Sequence, residues 1–357
     1  MASKSGLRQE TPAASRRKDT INLRMAHSLL GRKERKAGGI SYTLWTNTVV
    51  SREKFVVSRD LDDFTILCTF VSMITYPNVK INLGLQVLRR RPDGFHELET
   101  LFVPYPGYAD CLEIITGEDY SRTLGGLRER YPALAQAISP DGKLMISIAR
   151  KEGVDWDPLK DLTARAYALL AADYKLPPMK IFLEKRSPVG AGLGGGSADA
   201  AFALRMMAEL AGLALSDAEL AAYAARLGSD CAFFIYNRPM LGTGRGEVLE
   251  PFDIDLSPYR LEVTVPEGIS VSTAEAYRGI VPQVPEKPLR ELLRQPVGTW
   301  KADVKNDFEP TVFAAHPELA AIKEQLYARG AVYAAMSGSG SALFALFRNP
   351  VQGSPVL

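Results

Sequence analysis

The stretch KRSPVGAGLGGGSADAAFALRMMAEL, residues 185–210, runs from a glycine cluster straight into an alanine-rich segment. Before it, Met179, Ile181 and Leu183 recur at every second position, which predicts a half-buried strand. After the glycines, apolar residues recur at helical spacing as far as Gly212. Free N–H groups and the helix dipole attract anions to a helix N-terminus, and glycines let the backbone close around one. The stretch therefore predicts a phosphate-binding loop.

This loop differs from both common phosphate-binding loops. Gly190, Gly192 and Gly195 satisfy G-x-G-x-x-G, but a dinucleotide fold also needs an acidic residue after a second strand, roughly 20 residues on. At that distance the only acids open a predicted helix. A Walker loop ends in Lys-Ser or Lys-Thr, and here Gly196 precedes Ser197. The charge of a bound phosphate must therefore be neutralised by a cation from another strand or by Mg²⁺.

Composition excludes several classes of protein. The formal net charge of the 357 residues is +2, too small to indicate a nucleic-acid or anionic-membrane partner. No apolar run reaches the roughly 18 residues that a membrane span needs. The three cysteines are scattered and form no C-x-x-C pair, which is typical of a reducing compartment. We therefore expect a soluble, cytoplasmic protein.

Patterning divides the chain into three parts. Residues 1–72 are basic and lack sustained apolar periodicity, which predicts a disordered extension. A targeting peptide and a natural start at Met73 both stay open as explanations of this segment. Beyond it, strand patterns mix with amphipathic helices, one of them opened by a predicted capping box from Ser216 to Glu219. The mixture predicts an α+β protein with lobes at 73–248 and 249–357.

Five separated motifs carry a resemblance to a known family. They are PNVKINLGL at 77–85, RPDGFHELET at 91–100, PVGAGLGGGSADAA at 188–201, LGSDCAFF at 227–234 and MSGSGSALFALF at 336–347. In this order they resemble the GHMP superfamily of small-molecule kinases. The resemblance implies a two-lobed fold, with an ATP-binding N-terminal lobe like ribosomal protein S5 domain 2 and a ferredoxin-like C-terminal lobe. A monomer and a homodimer both stay open.

Two motifs resemble one branch of that superfamily. Mevalonate and homoserine kinases usually have a G-L-G-S-S-A-like loop and lack the D-G-[YF]-H-E-L segment. The implied reaction transfers the γ-phosphate of ATP, with Mg²⁺, to the 2-hydroxyl of 4-diphosphocytidyl-2-C-methyl-D-erythritol, a small-molecule acceptor on the non-mevalonate route to isoprenoids. The family's catalytic pair maps onto Lys80 and Asp230. An alcohol is a poor nucleophile, so a carboxylate that accepts its proton and a cation that orients the charges assist in-line transfer.

The resemblance also implies binding residues. The ATP loop maps onto Pro188, Val189, Gly190, Ala191, Gly192, Leu193, Gly194, Gly195, Gly196, Ser197 and Ala198. Cytosine would contact Phe95 and His96, since an aromatic face stacks on a base and histidine bonds its edge. The family often has tyrosine where this chain has Phe95, so any contact through a phenol hydroxyl is lost. Asn82 shares a strand face with Lys80 and is expected at the methylerythritol end, and Thr273 is expected to contact the acceptor from the second lobe.

Structural explanations compete at several of these positions. A strand lysine such as Lys80 often faces water, and Asp230 follows Gly-Ser as a turn or cap residue does. Ser197 could cap its helix, bind phosphate or ligate Mg²⁺. Asp199 matches an acid that complements a helix dipole, so it is not assigned to catalysis. The SGSGS turn at 337–341 is expected to support the loop.

Three other functions stay open. Another GHMP kinase, of the mevalonate or homoserine type, would phosphorylate an acceptor without cytidine. A non-catalytic nucleotide-binding protein would bind ATP and transfer nothing. A nucleic-acid-binding protein would use its basic N-terminus and lose affinity with rising salt.

Overall fold

A computed structural model describes residues 49–57, 66–117 and 131–350, with side chains from Met73 onward. The strands are β1 Val49–Val57, β2 Ile66–Thr75, β3 Asn78–Arg90, β4 His96–Ala109, β5 Cys111–Thr116, β6 Ala135–Ile138, β7 Leu144–Arg150, β8 Met179–Lys185, β9 Met240–Gly244, β10 Val248–Pro251, β11 Tyr259–Thr264, β12 Tyr333–Met336 and β13 Leu343–Arg348. They form three sheets, ordered β1-β2-β5-β8-β7-β6, β10-β9-β4-β3 and β11-β13-β12.

The helices lie between these strands. They are α1 Leu162–Asp173, α2 Gly195–Leu210, α3 Asp217–Leu227, α4 Cys231–Tyr236, α5 Thr273–Arg278, α6 Leu289–Leu292, α7 Trp300–Asp303, α8 Glu309–Ala315 and α9 Pro317–Ala328, with short 3₁₀ turns at Pro158–Lys160 and Val297–Thr299. The predicted capping box is confirmed: Ser216 and Glu219 satisfy each other's backbone N–H groups at the start of α3. The α+β class predicted from the sequence is confirmed.

The central hairpin of β3 and β4 separates a hydrophobic core from a polar site. Val79, Ile81 and Leu83 are fully buried and pack with residues of the third sheet. The intervening side chains Lys80 and Asn82 point to the opposite face of the strand, because successive residues of a strand alternate in direction. Strand β3 is therefore buried on both faces, and two of its polar residues are held inside the protein.

Strand β8, the glycine cluster and α2 follow one another as predicted. Strand β8 ends at Lys185 and α2 begins at Gly195, so residues 186–194 form the loop. Strands β7 and β8 are parallel neighbours, and α1 lies between them in sequence. Helices α1 and α2 bury small and apolar side chains against the first sheet. This packing fixes the direction in which the N-terminus of α2 points.

The N-terminal extension is only partly described. Strands β1 and β2 fall in the segment predicted as a disordered extension, and the predicted boundary at residue 73 lies inside β2. Residues 1–48 and 58–65 of that extension lie outside the described residues. From Val50 onward the described residues belong to one compact unit, and the division into lobes at 248/249 stays a prediction. In the described ranges, no helix has both the length and the apolarity of a membrane span.

Candidate active site

The glycine loop presents backbone N–H groups rather than side chains. Gly190, Gly192 and Gly194 have φ of 74°, 75° and 73°, and an intervening residue separates each from the next. Left-handed residues at such spacing turn successive N–H groups toward a common concavity, which binds anions. Glycine is the residue type that adopts this conformation without strain. The loop therefore has the backbone geometry that a phosphate group needs.

The N-terminus of α2 adds further donors to this concavity. No side chain caps the helix, and its first backbone bond runs from the N–H of Ala198 to the carbonyl of Gly194. The N–H groups of Gly195, Gly196 and Ser197 therefore have no intrahelical acceptor. Ser197 does not serve as the cap, so one of the three roles left open for it is excluded. These free donors, with the positive end of the helix dipole, suit a polyanion.

A turn between β12 and β13 packs directly behind the loop. The Ser337 hydroxyl donates to the carbonyl of Gly192 at 3.0 Å, and the N–H of Ala342 donates to the carbonyl of Ala191 at 3.1 Å. A Cβ placed on Gly192 would lie 2.2 Å from the Ser337 carbonyl oxygen. The expected support from this turn is confirmed, and the contact explains why position 192 must be glycine.

Lys80 faces the loop and not water. Only 3% of its side chain is exposed, and its Nζ donates to the Asn82 Oδ1 at 2.5 Å and to the carbonyl of Gly192 at 3.0 Å. A buried ammonium must be paired and hydrogen-bonded to stay charged. Its charged partner is Asp230, whose Oδ2 lies 3.3 Å away. The explanation of Lys80 as a solvated edge lysine is wrong.

Asp230 is half-buried at the entrance of α4. It occupies the position of a helix cap, but its side chain makes no capping hydrogen bond. Its carboxylate is instead held by Lys80 and is partly open to solvent, with 30% of the side chain exposed. A carboxylate in this position can accept a proton from a bound alcohol while the ammonium beside it keeps its orientation.

Asn82 is occupied by protein groups at both ends of its amide. Its Oδ1 accepts from Lys80, and its Nδ2 donates to the Thr100 hydroxyl at 3.1 Å. Its backbone N–H donates to the Ser337 hydroxyl at 3.3 Å. The observed partner of Asn82 is thus Lys80, and the predicted contact of Asn82 with the acceptor stays a prediction.

His96 lies at the beginning of β4, against an aromatic residue of the second half of the chain. Its ring stacks on Tyr277 of α5 with centroids 4.7 Å apart. Burial lowers the pKa of His96, and the neighbouring Arg90 lowers it further, so the imidazole is neutral near pH 7. A neutral imidazole has one donor and one acceptor, which suits the edge of a base.

Tyr277 is a further candidate site residue that the sequence did not reveal. Burial raises the pKa of its hydroxyl to about 12, and the charge of Asp230 contributes to the same rise. The ring stacks on His96, and the hydroxyl is close enough to Asp230 to respond to its charge. Tyr277 therefore links a predicted base-binding residue to one member of the predicted catalytic pair.

Phe95 and Thr273 flank this aromatic pair. Phe95 is 53% exposed, and the guanidinium of Arg245 lies 4.8 Å from its ring centroid. Thr273 is exposed at the start of α5, one helical turn before Tyr277 and on the same helix face. An exposed ring stabilised by a cation is a platform on which a base can stack.

A cavity of about 680 Å³ opens beside the entrance of the loop. Its lining includes Pro188 and Val189 of the loop, Arg150 at the end of β7, Arg186 directly after β8, and Tyr131. A nucleoside attached to phosphates in the loop has room here.

The described residues also indicate which groups could hold a metal ion. No group of three or more His, Cys, Asp or Glu side chains suited to a metal occurs in the part of the chain that the structure describes. Mg²⁺ bound to a nucleotide needs only one or two protein oxygens, because phosphates and water supply the rest. The half-buried Ser197 hydroxyl at the start of α2 fits that requirement.

Comparison with known proteins gives the family. Residues 161–238 match the family described as GHMP kinases N terminal domain, and residues 289–356 match GHMP kinases C terminal. A protein of Bacteroides fragilis named 4-diphosphocytidyl-2-C-methyl-D-erythritol kinase is 44% identical over 275 residues, which cover 77% of this chain and 92% of that protein. The chain belongs to the GHMP kinases, in the family of 4-diphosphocytidyl-2-C-methyl-D-erythritol kinases.

Other relatives of this GHMP kinase indicate the same family. A protein of the same name from Parabacteroides distasonis is 44% identical over 278 residues, 78% of this chain and 93% of that one. A crystal structure titled 4-(cytidine 5'-diphospho)-2C-methyl-D-erythritol kinase has a TM-score of 0.58 and 32% identity, covering 77% of this chain and 90% of its own. Phosphomevalonate kinase of Streptococcus pneumoniae has a TM-score of 0.50 at 15% identity over 78% and 92% of the two chains, a likeness of fold alone.

Proposed function

We propose that this GHMP kinase transfers the γ-phosphate of ATP to the 2-hydroxyl of 4-diphosphocytidyl-2-C-methyl-D-erythritol. Relatives more than 40% identical over most of the chain bear the name of that kinase. The observation that carries the proposal is the Lys80–Asp230 pair, 3.3 Å apart, at the carbonyl of Gly192 in the phosphate loop. A cation and a half-buried carboxylate at the end of such a loop suit phosphoryl transfer to an alcohol.

The glycine loop and the N-terminus of α2 bind the phosphates of ATP in this proposal. Their N–H groups are fixed before the reaction, so they stabilise negative charge on the phosphoryl oxygens with little reorganisation. The ammonium of Lys80 adds a positive charge on the side of the acceptor. The cavity beside Pro188 and Val189 accepts the nucleoside of ATP.

Asp230 is the proposed proton acceptor. The acceptor oxygen forms a bond to the γ-phosphorus as the bond to the β-phosphate oxygen breaks and ADP leaves. The proton of the hydroxyl passes to the Asp230 carboxylate, either before the new oxygen–phosphorus bond forms or while it forms. Lys80 holds that carboxylate, and Asn82 holds Lys80 through its Oδ1. Holding the reactants in line supplies much of the rate enhancement in such reactions.

The acceptor is proposed to bind between the catalytic pair and the aromatic residues. Its cytosine contacts Phe95 and the His96–Tyr277 stack, and its methylerythritol end lies toward Asp230. Thr273 shares a face of α5 with Tyr277 and is the proposed contact from the second half of the chain. Asn82 is proposed to act at the same end through Lys80.

Mg²⁺ is the proposed metal partner of ATP. When bound, it neutralises phosphate charge and polarises the transferred group. The Ser197 hydroxyl is the oxygen donor that this chain offers beside the loop. The free N–H groups of the loop would bind phosphate oxygens of the same nucleotide.

ADP release by the full chain tests the proposal. With ATP and Mg²⁺, we expect turnover with 4-diphosphocytidyl-2-C-methyl-D-erythritol and none with mevalonate, homoserine or no acceptor. ³¹P spectra of the product identify the phosphorylated oxygen. Turnover with mevalonate or homoserine would contradict the acceptor and the roles of Phe95 and His96, whereas ADP binding without turnover would indicate a non-catalytic nucleotide-binding protein.

A further inference from the structure

A buried charged cluster lies beneath the phosphate loop, and the proposed chemistry does not use it. It consists of Lys185 at the end of β8, Asp110 between β4 and β5, and Asp199 in α2. At most 8% of each residue is exposed. The Lys185 Nζ donates to the Asp110 Oδ2 and, at 2.5 Å, to the Asp199 Oδ2. Asp199 was expected to be a dipole-complementing acid, and its observed role is this ion pair.

Asp110 holds the chain that enters the loop. Its Oδ1 accepts the backbone N–H groups of Arg186 at 2.6 Å and Ser187 at 2.7 Å. Its Oδ2 accepts the Ser187 hydroxyl at 2.7 Å as well as Lys185. Charge-assisted bonds of this kind are about twice as strong as neutral ones. Three consecutive residues, Lys185 at the end of β8 and the first two residues of the loop, are thus bound to a single carboxylate.

Lys185 joins that entrance to the exit of the loop. Asp199 lies in the second turn of α2, so its bond to Lys185 ties the helix to the end of β8. The two ends also touch at Gly195, where an added Cβ would lie 2.6 Å from the Ser187 hydroxyl. The Asp110–Lys185–Asp199 cluster therefore fixes both ends of residues 188–194.

We infer that this cluster is a positioning device that keeps the loop in its phosphate-binding conformation, so that its residues act on nucleotide affinity without touching the nucleotide. The inference rests on the proposed function of the loop. Burying three charged groups is costly, and an apolar cluster of the same size would stabilise the fold at least as well. Hydrogen bonds have defined angles, so they hold both ends of the loop in a single geometry. An apolar cluster does not provide this.

The hydrogen bond that Asp199 accepts from Lys185 is the property of Asp199 on which the inference rests. Burial raises the pKa of Asp199 well above its ordinary value, and Lys185 offsets only part of that rise. Burial acts on Asp110 in the same direction, but Lys185 and the bonds from Ser187 bring its pKa below the ordinary value. Asp110 and Asp199 both accept from the Lys185 ammonium, which joins the two ends of the loop.

Two nearly isosteric variants separate the loss of the Lys185–Asp199 hydrogen bond from a general loss of stability. Asp199→Asn keeps an acceptor for Lys185, and we expect its Kd for ADP with Mg²⁺ to stay within about twofold of the unaltered protein. Asp199→Leu removes the acceptor, and we expect that Kd and the KM for ATP to rise about tenfold or more, with the KM for the acceptor unchanged. Leu326→Ala in α9, a buried residue outside the site, is the control for lost stability alone and keeps the ADP affinity.

Calorimetric ADP titrations test this positioning role. They are made at a temperature where circular dichroism shows each variant folded. Equal Kd values for Asp199→Leu and the unaltered protein would overturn the positioning role. If Asp199→Leu does not fold, Ser187→Ala is tested instead, because it removes one hydrogen bond to Asp110. We expect Ser187→Ala to bind ADP about threefold more weakly. An unchanged Kd for ADP in Ser187→Ala would then overturn the positioning role. Absence of ADP binding by the unaltered protein would refute the proposed function itself, a separate outcome.

Discussion

The loop glycines allow backbone strain and steric contact to be separated by experiment. Gly190 and Gly192 have nearly the same φ, 74° and 75°. A Cβ on Gly190 would meet only the Ser270 hydroxyl at 3.9 Å, whereas on Gly192 it would lie 2.2 Å from the Ser337 carbonyl and 3.0 Å from that of Gly340. Alanine at either position has the same conformational strain, and only at 192 does it collide with backbone.

The expected magnitudes follow from these two environments. A left-handed alanine costs about 1–2 kcal/mol, and lower entropy of the unfolded chain offsets roughly 0.4–1 kcal/mol of it. Gly190→Ala should therefore lower the free energy of unfolding by about 1 kcal/mol and change the ADP Kd by less than about threefold. Gly192→Ala adds an overpacking cost of about 1–3 kcal/mol, because the β12–β13 turn must move.

Urea unfolding and ADP titration of the two variants check this reasoning. Displacement of the turn shifts the carbonyl of Gly192 that binds Lys80, so we expect Gly192→Ala to bind ADP at least about tenfold more weakly and to lose about 100-fold in kcat/KM. Equal effects of the two variants would refute the steric argument. Wild-type affinity in Gly192→Ala would refute the close packing of loop and turn.

Three further predictions concern other parts of the site. Lys80→Met should lower kcat by about 100-fold or more, because it leaves Asp230 unpaired; turnover assays measure this, and an unchanged kcat contradicts it. Tyr277→Ala should raise the KM for the acceptor about tenfold and leave the KM for ATP unchanged, whereas Tyr277→Phe, which keeps the ring, should stay within about threefold. The pKa of Asp110 is lowered in the folded protein, so its carboxylate stabilises the fold at pH values above the unfolded-state pKa of 3.8. The difference in free energy of unfolding between the unaltered protein and Asp110→Asn should therefore shrink as the pH falls below 3.8 in acid-unfolding titrations. A difference that does not change with pH would contradict this.

Much of the loop could be predicted from the sequence because local patterns determine it. Period-two residues before the glycines and helical spacing after them predicted β8 and α2, and the structure contains both. The mapping of the catalytic pair came from the family resemblance. The structure then brought Lys80 and Asp230, 150 residues apart in sequence, to within 3.3 Å.

The parts that could not be predicted depend on contacts between distant segments. Tyr277 stacks on His96 across 181 residues of sequence, and an aromatic residue one turn after Thr273 was the only signal for it. Asp199 followed the glycines as a dipole-complementing acid does, and its burial against Lys185 depends on how β8 packs on α2. Spacing along one chain does not reveal such pairings.

The proton acceptor is the central claim, and Asp230→Asn tests it most directly. The substitution keeps the size of the side chain and an oxygen facing Lys80, and it removes the basic carboxylate. With 4-diphosphocytidyl-2-C-methyl-D-erythritol as acceptor, we expect single-turnover phosphoryl transfer to slow by about 100-fold or more at an unchanged ADP Kd. Transfer at the wild-type rate would contradict the role of Asp230.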